Sequence, residues 1–367
     1  MDAGYSNTIT LPVQNGYITA EVDGQRLGLM VDSGSPSVKV VDGKWYKKAF
    51  GDDACDKPGA ACYFCPSTSS CLNGPRYRSK YVDGSISTFA NHKALLTLGS
   101  RHITNFDVEV VTNFSSPIPG EIPRGIFGIS LSCVPGKPSM IEKLKAWGAI
   151  GRLSYYLDTR IHPNVYGISG QLILGAPVSK LDATLVDMTP TLTCTKLLRA
   201  VPAVWIAETR LFGADGALLS RTKDTVKQSS LGFLDTGSQS IVVQGKEFME
   251  ELILHARKNL TNMGYPPEAR DKLLREVGGR WYVSSEVLTS LPTIGVIATV
   301  AHAGDVRINI EPKMYTLCTS YLYCVIGIKV RDGRLAHAST LGVPFFRGHS
   351  IFVDYGTNKV SIMANQS

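Results

Sequence analysis

The chain has 367 residues, of which 44% are hydrophobic and 19% charged, so it is too apolar for disorder and long enough to divide into two lobes. Its formal charge is +7, but Lys and Arg are dispersed and no basic run interleaves with aromatics, which argues against a nucleic-acid surface. No apolar run approaches the ~20 residues of a membrane-spanning helix, and 35 Gly with 19 Pro suit a turn-rich β protein.

Met1 is followed at once by Asp2-Ala3-Gly4-Tyr5, without the basic and apolar regions of a signal peptide. A leader or propeptide is therefore expected to lie outside the sequence, if there is one. Ile9 to Val13, Gly16 to Val22 and Leu27 to Val31 are short, β-rich and separated by Gly, Asn and Asp, which predicts antiparallel strands joined by tight turns. The same texture recurs at Gln171 to Leu174, Ser230 to Leu234, Ile241 to Val243 and Ser350 to Val353. Helical spacing is confined to Ser139 to Trp147, to Lys246 to Leu260, and to Glu268 to Val277 after Pro266-Pro267. In the second of these, Phe248, Leu252, His255 and Ala256 fall on one stripe beside charged neighbours. The fold class expected is all-β with a few short helices.

Eight cysteines lie at 55, 62, 65, 71, 133, 194, 318 and 324. An even count, with four in one short polar stretch, is the pattern of an oxidised, secreted or endomembrane-lumenal protein. Pairing is open, and Cys62-Tyr63-Phe64-Cys65 also has the spacing of a zinc knuckle, although that stretch holds no His. Asn113-Phe114-Ser115 and Asn259-Leu260-Thr261 are glycosylation sequons, compatible with secretion. His302, His337 and His349 lie in no nucleophile motif and are expected to face solvent or to be structurally bonded.

One motif occurs twice. Leu29-Met30-Val31-Asp32-Ser33-Gly34-Ser35 is echoed by Gly232-Phe233-Leu234-Asp235-Thr236-Gly237-Ser238, each an apolar strand running into an acidic turn. A single Asp-[Ser/Thr]-Gly triplet arises by chance in about one of every five chains of this length. Two copies with the same flanks point to duplicated lobes, 1–188 and 189–367, divided near Thr189-Pro190 and Val201-Pro202.

The chemistry accounts for the residue types. Two carboxylates brought close cannot both ionise comfortably, so Asp32 and Asp235 are expected to share a proton. One then deprotonates a water while the other protonates the scissile carbonyl, and no metal or cofactor is required. Ser33 and Thr236 supply hydroxyls, Gly34 and Gly237 let the backbone approach the carboxylates, and Ser35 and Ser238 are placed to bond the outer carboxylate oxygens.

The chain resembles the pepsin family of bilobal aspartic peptidases along most of its length. Gly125-Ile126-Phe127-Gly128-Ile129 and Leu341-Gly342-Val343-Pro344-Phe345-Phe346 resemble the apolar-Gly segments that cross behind the two Asp loops. Ser154-Tyr155-Tyr156-Leu157 and Gly170 to Gly175 resemble the strands leaving the first lobe, and Ile351 to Tyr355 with Asn358-Lys359-Val360 resembles the closing hairpin of the second. Tyr81-Val82-Asp83-Gly84-Ser85 fits a hairpin with Asp-Gly at its tip, and the resemblance makes it the flap over the substrate. The cysteine-rich insert from Cys55 to Cys71 is closer to plant-type, nepenthesin-like or atypical members.

This resemblance implies an acid-protease fold and a monomeric endopeptidase that takes an extended peptide or protein substrate. Statine-type peptides would inhibit it. Met30, Ile126 and Phe233 are candidates to line pockets for hydrophobic residues at the cut, although core packing is their other reading. Lys39 departs from the tryptophan of many relatives, and Val82 from the glycine that usually follows the flap tyrosine. The rival expectation is a catalytically silent relative that binds or inhibits another enzyme.

Overall fold

A computed structural model describes residues 7–66, 71–81, 83–160, 167–177, 184–187, 199–219, 230–300, 304–318, 322–331 and 338–365. Strands dominate and helices are few, as the alternating segments predict. The chain divides into two compact units, one built mainly from Met1–Tyr155 and the other mainly from Val201–Ser367, with Tyr156–Gly170 belonging to the second and Gln171–Pro177 to the first. Thr189-Pro190 and Val82 lie outside the described residues.

The first unit is organised by one sheet. In spatial order its strands are Tyr17–Val22, Gln25–Asp32, Ile126–Gly128, Val38–Asp42, Arg101–Ser115, Ile86–Leu98 and Arg76–Lys80. Tyr17–Val22 also pairs with Ile86–Leu98 through Glu21 and Val22, so the sheet curls back on itself. Asp23-Gly24 joins the first two strands with φ of 49° and 77°, the left-handed pair that a two-residue hairpin turn requires. Leu29, Val31, Val38, Val40, Val108, Val110 and Phe127 are fully buried between the strands.

The cysteine-rich insert is fastened to this sheet at several points. Cys62–Tyr63 runs parallel to Val38–Asp42, with Tyr63 opposite Asp42. The Tyr63 hydroxyl donates to Asp23 Oδ2 at 2.5 Å, and His92 Nε2 lies 3.0 Å from the same oxygen. Burial alone would raise the Asp23 carboxyl, but the bonds from Tyr63, the Leu95 amide and His92 outweigh it and hold the group below the usual carboxylate range. Gln25 adds a two-way clasp: its Nε2 donates to Phe64 O at 2.7 Å, and Phe64 N donates to its Oε1 at 2.9 Å. The insert's cysteines are joined as Cys55–Cys62 and Cys65–Cys71, which leaves no thiolates for a zinc knuckle. Cys318–Cys324 is a third pair, and Cys133 is also disulfide-bonded; Cys194 lies outside the described residues.

The second unit carries a sheet in the order Gly304–Ile310, Thr293–Val300, Ala203–Phe212, Ser230–Leu234, Ala338–Leu341, Ile241–Gln244 and Ile328–Arg331. A smaller sheet runs Leu274–Val277, Arg280–Ser284, Tyr323–Ile326 and Thr316–Cys318. His349–Asp354 and Lys359–Ala364 form the closing hairpin, turned by Asn358 at a φ of 56°.

Two helical expectations are redrawn. Lys246–Asn262 buries Phe248, Leu252, Ile253, Ala256 and Leu260, while His255 sits half-buried at the margin of the stripe. After Pro266 the helix covers only Pro267–Leu273, and Leu274–Val277 is a strand that pairs with Arg280–Ser284. The β-branched Val277 and the Gly278-Gly279 turn decide for the hairpin there. The first of the expected helices, Met140–Ala146, is capped as its sequence announces: Ser139 Oγ accepts from Glu142 N, and the Glu142 carboxylate accepts from Ser139 N.

Candidate active site

The two Asp turns are built alike, each within its own unit. In the first, strand Gln25–Asp32 lies parallel to Ile126–Gly128, with Met30 opposite Ile126, Val31 opposite Phe127 and Asp32 opposite Gly128. The strand leaving the turn pairs antiparallel with the same short segment, Val38 opposite Phe127 and Lys39 opposite Ile126. The apolar-Gly segment therefore threads between the chain entering the turn and the chain leaving it. In the second unit Leu231 to Leu234 runs parallel to Ala338 to Leu341, and Val242 pairs antiparallel with Thr340.

A glycine closes each crossing because no side chain fits. A Cβ on Gly128 would stand 2.4 Å from Ser35 O and 2.6 Å from Ser37 O, and one on Gly342 would stand 2.3 Å from Ser240 O and 2.4 Å from Ser238 O. Both crowding pairs are backbone carbonyls of the Asp turn itself. The glycine thus sets how closely the turn rests on the strand behind it.

The carboxylates are held by the backbone that follows them. Gly34 N donates to Asp32 Oδ1 at 2.8 Å, and Gly237 N donates to Asp235 Oδ1 at 3.0 Å. Ser35 Oγ donates to Asp32 Oδ2 at 2.6 Å, as its position suggests. Ser238 differs: its hydroxyl donates to Ser240 O at 3.0 Å. Asp32 is buried and Asp235 half-buried, while Ser33 and Thr236 are buried.

Met30 and Phe233 each precede their Asp by two residues, so they share its strand face. Both are half-buried rather than sealed in a core. Ile126, beside Met30, is buried.

The tyrosine hairpin is present. Lys80 pairs with Ile86, Tyr81 N donates to Ser85 O at 2.8 Å, and Gly84 N donates to Tyr81 O at 3.1 Å, with Gly84 at a φ of 90°. Asp83 Oδ1 accepts from both the amide and the hydroxyl of Ser85 at 2.9 and 2.7 Å, which stiffens the tip. The Tyr81 hydroxyl lies 3.1 Å from Ser87 Oγ.

Lys39, a departure legible in the sequence, has a use that was not. It stands opposite Ile126 on one side and opposite Glu109 on the other, and its ammonium meets Glu109 Oε2 at 2.5 Å. It also lies 4.9 Å from the Phe89 ring centroid and 5.8 Å from that of Tyr81. Burial works against the ammonium, but the Glu109 carboxylate outweighs it and, with Tyr81, raises Lys39 above the ordinary lysine range. Met30, Ile126, Lys39 and Glu109 thus stand side by side across four strands beside Asp32.

Sequence reasoning also missed Arg331. It ends the strand Ile328–Arg331, opposite Gln244. Burial depresses its guanidinium, and the attraction of the Asp235 carboxylate opposes that shift. A cation in electrostatic reach of the second Asp follows from strand pairing, and no motif announces it.

No protein-family model matches the chain, and no curated protein matches it.

Proposed function

We propose that the chain is an aspartic endopeptidase of the pepsin-like, bilobal kind, in which Asp32 and Asp235 act as the acid–base pair on a water molecule. The observation that supports this reading best is the repeated construction of the two turns. Each places an Asp at the end of a strand, bonds its Oδ1 to the amide two residues on, and backs the turn with a glycine that alone fits. One such turn is ordinary; two of the same build in one chain are what a catalytic pair of carboxylates needs.

Tyr81 and its hairpin act as the flap over an extended peptide, and Met30, Ile126 and Phe233 favour hydrophobic side chains at the cut. The disulfides fit a secreted or lumenal enzyme. No covalent intermediate is formed, because the nucleophile is water.

The test is turnover of an acid-unfolded protein by the purified chain across a range of pH. Asp32→Asn and Asp235→Asn should each abolish it, and a statine-containing peptide should inhibit the wild type. Hydrolysis that survives either substitution rejects the mechanism. Statine binding without turnover would instead favour a catalytically silent relative.

A further inference from the structure

The two sequons have opposite fates in the fold. Asn259 lies in the helix Lys246–Asn262, where residues two apart point about 200° away from each other. Its Nδ2 donates to Ser290 O at 2.8 Å, and the Thr261 hydroxyl donates to Arg257 O at 3.0 Å while accepting from Arg270. A sugar on Asn259 would displace the Ser290 contact that ties this helix to the following segment.

Asn113 is arranged differently. It lies near the end of the strand Arg101–Ser115, where alternation is broken: Thr88 pairs with Asn113 but Phe89 pairs with Val111, so Thr112 is an extra, bulged residue. Val110 and Val111 are consecutively buried before the bulge, and Asn113 and Ser115 are both exposed after it. Residues two apart on a strand share a face, so the sequon's amide and hydroxyl stand together toward solvent. The Asn113 side chain has no partner among the described residues.

Along the strand Arg101–Ser115, Val38–Asp42 pairs only with Val108 to Val111. Beyond that point, Asn113 to Ser115 has a strand neighbour on one side only among the described residues, an edge open to strand addition.

We propose that Asn113 is an N-glycosylation site and that Asn259, despite its sequon, is not. Asn113 Nδ2 attacks the anomeric carbon of a lipid-pyrophosphate-linked oligosaccharide. The sugar–phosphate C–O bond breaks, the lipid pyrophosphate leaves with the electron pair, and the amide nitrogen gives up one proton. The attached glycan covers the open edge behind the hairpin that carries Tyr81. This assignment is independent of the peptidase reading.

The experiment is secretion of the full chain from a eukaryotic host behind a cleavable leader, with peptide-N-glycosidase digestion and site mapping by the Asn-to-Asp conversion it leaves. One glycan is expected, at Asn113. Asn113→Gln and Ser115→Ala should each remove it, Ser115→Thr should retain it, and Asn259→Gln should leave it unchanged. A secreted, folded protein with Asn113 unmodified, or with Asn259 occupied, overturns the proposal. Circular dichroism of each variant separates loss of the glycan from loss of the fold.

Discussion

Replacing Lys39 by Met leaves the Glu109 carboxylate without its cation inside the first unit. Removing one member of a buried pair costs about 3–5 kcal/mol when the survivor stays dry. The Glu109 side chain is 20% exposed against 6% for Lys39, so water reaches the abandoned carboxylate and about 2–3 kcal/mol is expected for Lys39→Met. Changing both partners, Lys39→Met with Glu109→Leu, removes the charge problem and should return stability to within about 1 kcal/mol of the wild type.

Native-state hydrogen exchange on peptides covering Val38–Asp42 and Arg101–Ser115 reads this locally, without assuming that both units unfold together. The sign with pH follows from the raised lysine: its contribution is fully present below the ordinary lysine range and is lost as pH rises through the folded value. A double variant as labile as the single one, or a single variant with unchanged exchange, refutes the ion-pair account.

Gly342→Ala drives a methyl into the Ser238 and Ser240 carbonyls and should cost about 1–3 kcal/mol, seen as a lower urea midpoint, with activity falling further as the Asp235 turn is displaced. Arg331→Gln removes an attraction that favours the ionised form of Asp235, so the acid limb of a kcat/KM profile should move to higher pH; an unmoved limb separates the two groups. His349 is buried, with Nδ1 2.9 Å from Phe345 O and its ring stacked on Phe345, and burial lowers its pKa. The stability it lends is present above the ordinary histidine range and is lost as pH falls through that range toward the folded value. His349→Gln should therefore flatten the decline of Tm between neutral and mildly acid pH.

The strands and both Asp turns were legible because period-two alternation and Asp-[Ser/Thr]-Gly are local signals. The tip of the Tyr81 hairpin was legible for the same reason, since Asp-Gly dictates its turn. What escaped was set by pairing between distant segments. Lys39 reads as a misplaced charge until Arg101–Ser115 brings Glu109 beside it, and Arg331 has no local mark until its strand docks along Ile241–Gln244. Ser238 has the same place in its motif as Ser35, yet bonds to Ser240 O, because a hydroxyl chooses among nearby acceptors by geometry that the motif does not encode. The Glu268 to Val277 stretch failed for the opposite reason: its helical spacing is real, but the Gly278-Gly279 turn after it recruits the last four residues into a hairpin.

Gln25 gives the cysteine-rich insert something unusual for a side chain. By donating to Phe64 O and accepting from Phe64 N, its amide counterfeits a peptide group and offers the insert the two bonds that a neighbouring strand would have offered. The insert's alignment is thus written partly in one side chain and not wholly in a ladder. A one-atom forgery such as Gln25→Glu, which keeps the acceptor and loses the donor, would let the loop drift while every disulfide and every strand of the sheet stayed in place.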